Sequence, residues 1–186
     1  DAATGDYTLT VDQDQPATPG QEDKQPLLIP LRFALYGADG AAITARPECD
    51  AVVSDGRVEL TAARHVLRWT GLAAKPLPAF NHGFAAPVKL AFDYTAADLA
   101  RLARLERDPF LRWDLLQQLA TGALLRTLDE NAAAGALSDA LADLLDDDGA
   151  DPAFVAECLA LPDFDTLAET VAVVDVDALM GAREAL

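Results

Sequence analysis

Serine, histidine and cysteine each occur only twice in this 186-residue chain, methionine once, and each scarcity closes a class of chemistry. Ser54 and Ser138 are the serines, and neither sits in the Gly-x-Ser-x-Gly turn that presents a nucleophile. His65 and His82 stand 17 residues apart, and neither has the His-Glu-x-x-His spacing that puts two zinc ligands on one helix face. Cys49 and Cys158 are too few and too distant for a disulfide framework or a metal knuckle. Both are expected to be reduced, with Cys158 buried as a small apolar residue, and a cytoplasmic setting fits that usage. Basic residues number 14 against 31 acids, a net charge of −17 that repels phosphate backbones and anionic lipid. No nucleic-acid or membrane partner is therefore expected. No apolar run reaches the roughly 18 residues of a membrane helix. The acidic opening Asp1–Asp6 is unlike an export signal. No phosphate loop is present either: Gly37-Ala38-Asp39-Gly40 lacks the lysine and reads as a turn.

What remains is a foldable chain, 51% hydrophobic, in two halves of different period. In the first half Tyr7, Leu9 and Val11 alternate with threonines. A loop rich in Pro, Gly and Gln runs from Asp14 to Gln25. Leu27, Ile29, Leu31, Phe33 and Leu35 then share one face of a half-buried antiparallel strand. Pro30 lacks an N–H and points to an edge or a bulge. Asp39-Gly40 is a hairpin signal, with Ala41–Ala45 returning. Further strands are predicted at Arg57–Thr61, His65–Trp69, Pro76–Phe80 and Pro87–Tyr94, the last with Val88, Leu90 and Phe92 on one face. About seven short strands at this spacing predict an all-β immunoglobulin-like sandwich over residues 1–94.

The second half, residues 95–186, has helical spacing and predicts an all-α helix-pair array. Thr95 is an N-cap with Asp98 three residues on, ahead of a Leu99, Leu102, Leu105 stripe. Asp108-Pro109 opens a helix through Phe110, Trp113, Leu115 or Leu116, Leu119, Ala120, Ala123 and Leu124. Asn131–Gly135 reads as a break, followed by a helix with Ser138 near its start and Leu137, Leu141, Leu144 and Leu145 on it. Asp151-Pro152 opens a fourth helix through Cys158, and Leu161-Pro162-Asp163 ends it. Asp165–Thr170 and Asp177–Leu186 complete the set. The last of these carries a stripe of Leu179, Met180, Ala182, Ala185 and Leu186 that needs more helix to cover it. The abrupt start and this open stripe suggest a piece of a longer protein. No repeat of fixed length is visible.

Two motifs invite a functional reading. The run Asp146-Asp147-Asp148-Gly149-Ala150-Asp151 resembles a calcium loop, but placing Gly149 sixth puts Leu144 first and Val155 twelfth, where carboxylates are required. It reads as a helix end, a turn and a new cap at Asp151. Arg112-Trp113-Asp114 could form a binding patch, but Trp113 is expected in the core with its charged neighbours at the solvent edge. Paired carboxylates are too many for spacing alone to pick a dyad.

Several stretches taken in order resemble one family. Gln15-Pro16-Ala17-Thr18-Pro19-Gly20-Gln21, Lys24-Gln25-Pro26-Leu27-Leu28-Ile29-Pro30, Pro76-Leu77-Pro78-Ala79 and Gly83-Phe84-Ala85-Ala86-Pro87-Val88-Lys89-Leu90 are similar to the region after the catalytic domain of proteobacterial aminopeptidase N. Asp108-Pro109-Phe110-Leu111-Arg112-Trp113-Asp114, Asp151-Pro152-Ala153 and Ala182-Arg183-Glu184-Ala185-Leu186 extend the likeness through the helical half. The resemblance implies an immunoglobulin-like domain and the start of a C-terminal helical domain from a zinc-dependent aminopeptidase. The zinc helix and the Gly-x-Met-Glu-Asn amine-binding motif of that family are absent. No catalytic, cofactor-binding or metal residue is therefore assigned to this chain, and zinc belongs to the parent enzyme. The implied partners are the parent's catalytic and remaining helical domains, with peptides as the parent's substrates. The alternative is a free-standing protein-interaction module built from a sandwich and helices.

Overall fold

The computed structural model describes residues 3–54 and 56–186. The chain divides into two compact units, Asp1–Leu90 and Ala91–Leu186.

The first unit is built from strands β1 (Tyr7–Asp12), β2 (Ile29–Tyr36), β3 (Val52–Ser54), β4 (Arg57–Leu60), β5 (Arg64–Trp69) and β6 (Leu77–Phe80). β1 and β5 form one antiparallel sheet, and β3-β4-β2-β6 form the other. Register follows the alternation read from the sequence. Leu9 pairs with Leu67, and Leu31 pairs with Val58. Leu9, Leu31, Leu35, Val58, Leu60, Leu67 and Trp69 are buried, and each such leucine contributes about 2 kcal/mol. Trp69 meets Phe33 edge-on at 5.9 Å between centroids, so the two sheets face one another as in a sandwich.

Pro30 lies in the half of β2 that has β4 as its neighbour. β6 pairs only with the other half, Phe33–Tyr36, so Pro30 stands at a local edge where a missing donor is tolerated.

Three strand expectations are corrected. Leu27 lies outside β2 and is 59% exposed. Its backbone is instead clasped by the Gln13 side chain, which accepts from Leu27 N–H at 3.1 Å and donates to Leu27 C=O at 2.9 Å. Ala41–Ala45 does not return as a strand. The turn forms, with Asp39 accepting from Ala41 N–H, but pairing is limited to a Tyr36–Ala42 bridge. Pro87–Tyr94 is irregular despite its alternation. Val88 N–H and Tyr94 N–H bond to carbonyls two residues back, and Leu90 and Phe92 remain exposed, so no sheet face recruits the pattern. β3 escaped the sequence reading because three residues carry too little period.

The second unit contains helices α1 (Ala96–Leu105), α2 (Pro109–Leu124), α3 (Glu130–Leu145), α4 (Pro152–Leu159), α5 (Phe164–Ala168) and α6 (Val176–Ala185). Thr95 and Asp98 form a complete capping box for α1. The remaining five helices each start on an aspartate whose carboxylate accepts from the first turn: Asp108, Asp129, Asp151, Asp163 and Asp175. Proline follows at the first helical position of α2 and α4.

α2 is the central element, touching α1, α3, α4 and α6. Leu115 and Leu116 are both buried because neighbours lie on more than one side. Its C-terminus closes in a Schellman arrangement, with Arg126 N–H on Ala123 C=O, Thr127 N–H on Gly122 C=O, and Arg126 left-handed at φ 55°. A Cβ at Gly122 would crowd the Leu128 side chain, which would have to shift to admit it.

The expected break at Asn131–Gly135 lies inside α3. Asp129 caps the helix ahead of it, and Ala133 joins Leu137, Ala140 and Leu144 on the buried face. The polar and glycine residues of this segment are on the exposed side. Ser138 is accordingly mid-helix and exposed rather than near a start.

Candidate interaction surface

A hollow in the helical unit lies where the end of α2, the start of α3 and α6 meet. It is a groove of about 660 Å³, lined among others by Leu124, Leu125, Ala134, Leu179, Ala182 and Leu186. Its floor is a small core of Leu124, Leu167 and Leu179, backed by Phe164 and Ala168. The α6 stripe is thus split: Leu179 is buried in that floor, while Met180 and Leu186 are exposed. Small residues on α6 (Ala178, Gly181, Ala182 and Ala185) keep the groove open. Chemically it offers apolar contact area and a charged rim at Arg126, which suits a helix or an apolar peptide segment.

Arg112-Trp113-Asp114 lies on α2. Trp113 is half-buried rather than a full core residue, and packs against Phe110 at 5.9 Å. The correction follows from Leu115 and Leu116, which take the central positions that one large ring would otherwise fill. Arg112 lies 5.9 Å from the centroid of the Phe154 ring. Asp114 accepts from Gln118, yet burial pushes its carboxyl above the usual range. Cys158 on α4 is buried, and desolvation raises its thiol to about 11, with Arg112 opposing the rise. Such a thiol is a poor nucleophile.

The acidic run behaves as a helix end and a turn. Asp146 closes α3, Asp147 accepts from Gly149 N–H, and Asp151 caps α4.

The two histidines are placed apart in role. His82 lies in a single 3₁₀ turn, His82–Phe84, flanked by Asn81. Asn81, Gly83 and Phe84 all have left-handed φ there, at 68°, 65° and 48°. The strain is held by the buried Asn81 carboxamide, which both donates to and accepts from the Ala86 backbone. His65 is 3% exposed on β5. Its Nε2 accepts from Thr61 N–H at 2.9 Å and Ala62 N–H at 3.0 Å, and its Nδ1 lies 2.9 Å from Asp50 Oδ1. That hydrogen bond holds the Asp50 carboxyl below the usual range. The backbone roles of Thr61 and Ala62 could not be read from spacing, because the imidazole reaches back across its own turn.

A zinc ion finds no fit in this donor set. Both His65 nitrogens are engaged, and among the described residues no three His, Cys, Asp or Glu side chains converge as metal ligands.

Against known proteins, residues 1–93 match the model of a domain of unknown function, DUF3458, with an Ig-like fold. The chain belongs to the DUF3458 family. Residues 96–186 match its companion, DUF3458_C, described as ARM repeats. The sandwich-then-helices order is thus that of the DUF3458 pair.

Curated relatives extend the comparison. Aminopeptidase N of Escherichia coli is 35% identical over 98% of this chain and 22% of its own length. Aminopeptidase N of Haemophilus influenzae is 32% identical over the same shares. Aminopeptidase N of Caulobacter vibrioides is 37% identical over 73% of this chain and 17% of its own length. The chain therefore spans about a fifth of the length of these relatives. Among solved structures, aminopeptidase A of Legionella pneumophila in complex with aspartic acid superposes with a TM-score of 0.74 at 20% identity, over 100% of this chain and 20% of that one, a likeness of fold. The family resemblance read from the sequence is borne out over nearly the whole chain.

Proposed function

We propose that this chain is the non-catalytic DUF3458 portion of a zinc-dependent aminopeptidase that removes N-terminal residues from peptides. The observation that carries the reading is the alignment of 98% of the chain with 22% of aminopeptidase N at 35% identity. In this role the sandwich, to about residue 94, and the helices that follow it supply scaffold and part of the active-site cover. The peptide-cleaving chemistry, the zinc and the substrate contacts belong to other domains of the same protein, which is cytoplasmic. The apolar groove at α2, α3 and α6 supports this, because an open apolar hollow on a helix array suits packing against the remaining helical domain.

The test is an assay of the 186-residue chain with alanyl chromogenic peptides, with and without added zinc. No turnover is expected in either case. Zinc-dependent release of the chromophore by this chain alone would overturn the proposal. The natural reading frame supplies a second check, since it should encode a His-Glu-x-x-His motif ahead of Asp1.

A further inference from the structure

We infer that His65 is a proton-sensitive lock on the β4–β5 turn of the Ig-like unit: neutral, it holds the turn closed, and a second proton on the ring releases it. The geometry fixes the neutral form. Nε2 accepts two backbone N–H groups, from Thr61 and Ala62, so it bears no hydrogen. The single ring proton is then on Nδ1, donated to Asp50 Oδ1 at 2.9 Å. One buried imidazole thus ties together β5, the turn that leads into it and the segment ahead of β3.

Protonation acts on one side of this arrangement. An Nε2–H would point at two N–H donors, turning two attractive contacts into donor–donor clashes in a site that is 3% exposed. The Asp50 side keeps its hydrogen bond, because that carboxylate stays ionised into acid. The opening therefore falls on Thr61 and Ala62.

The charged groups around this site do not offer a competing response. Arg64, next to His65, is paired with Asp12 on β1 at the solvent surface. Arg57 and Glu59 on β4 pair with each other. Glu48 and Arg68 share a shallow outer hollow with Asp50 and Arg64.

The experiment is an NMR titration of the whole 186-residue chain, in which only two histidines must be distinguished. Long-range nitrogen–proton spectra at neutral pH should show His65 as the Nδ1–H tautomer. As acid adds the second proton to His65, the hydrogen-exchange protection of the Thr61 and Ala62 amides should fall about tenfold in the same transition. The β1–β5 ladder amides of Leu9 and Leu67 should keep their protection through it. His65→Gln should abolish the pH-linked step at Thr61 and Ala62. An Nε2–H tautomer at neutral pH would overturn the inference, as would a titrating ring with unchanged turn protection. If the variant does not fold, the wild-type tautomer and protection data decide the matter alone.

Discussion

At the scale of single residues, burial decides chemistry more than identity does. The two thiols illustrate this. Cys158 is buried with its thiol raised to about 11, while Cys49 is only half-buried. Iodoacetamide at pH 8 is expected to label Cys49 at least about tenfold faster than Cys158, as read by mass spectrometry of timed digests. Equal rates would show that the α4 packing opens readily. Among the residues singled out from sequence, Cys158, the caps Thr95 and Asp151, and Pro109 in the first turn of α2 lie where their neighbours in the chain implied. Trp113 does not, because its burial depends on which of two adjacent leucines faces the centre, and both do. The His65 contacts were illegible for a related reason: a side chain that bonds the backbone three and four residues earlier leaves no mark in composition or period.

At the scale of elements, local signals with a mechanism proved reliable and pattern alone did not. Asp-Pro and the Thr-x-x-Asp box located three helix starts because each names a donor and its acceptor. The alternation over Pro87–Tyr94 was real but unused, since a strand requires a neighbouring ladder that no local sequence can guarantee. The expected break lies inside α3 because Ala133 carries the buried face of Leu137, Ala140 and Leu144 one turn further toward the Asp129 cap.

The caps also set an acid response. The backbone and side chain of Thr166 hold Asp163 below the usual carboxylate range. A depressed carboxylate contributes stability above its unfolded value, near 3.9, and loses it as pH falls through the lower folded value. Asp163→Ala is expected to lower the melting temperature of the chain by about 3 °C at pH 7. Thermal melts should show that gap closing toward pH 2, and a gap that persists there would rule out the charged cap as its source.

At the scale of the molecule, the chain divides into two compact units, and the stretch of chain that links them is irregular and exposed. Limited chymotrypsin digestion is expected to cut first after Leu90 or Phe92 and to leave two resistant fragments, separable by mass. First cuts inside α2 or β2 would contradict the division. The order of the two folds was legible from the change of period near residue 95, whereas the groove at α6 was visible only as a stripe of unassigned leucine, methionine and alanine. Its walls come from α2 and α3, more than 40 residues earlier in the chain, a meeting that only the tertiary structure reveals.

The five aspartates that open α2 to α6 bear on any attempt to redesign the surface of this protein. A charge of −17 invites neutralisation, for instance to promote crystal growth, and aspartates are the obvious targets. At these five positions asparagine or serine would spare the helix start, whereas lysine would remove the acceptor and set a cation against the positive end of the helix. Acids such as Glu22, Asp23 and Asp148, exposed and outside the caps, are the ones that can change sign.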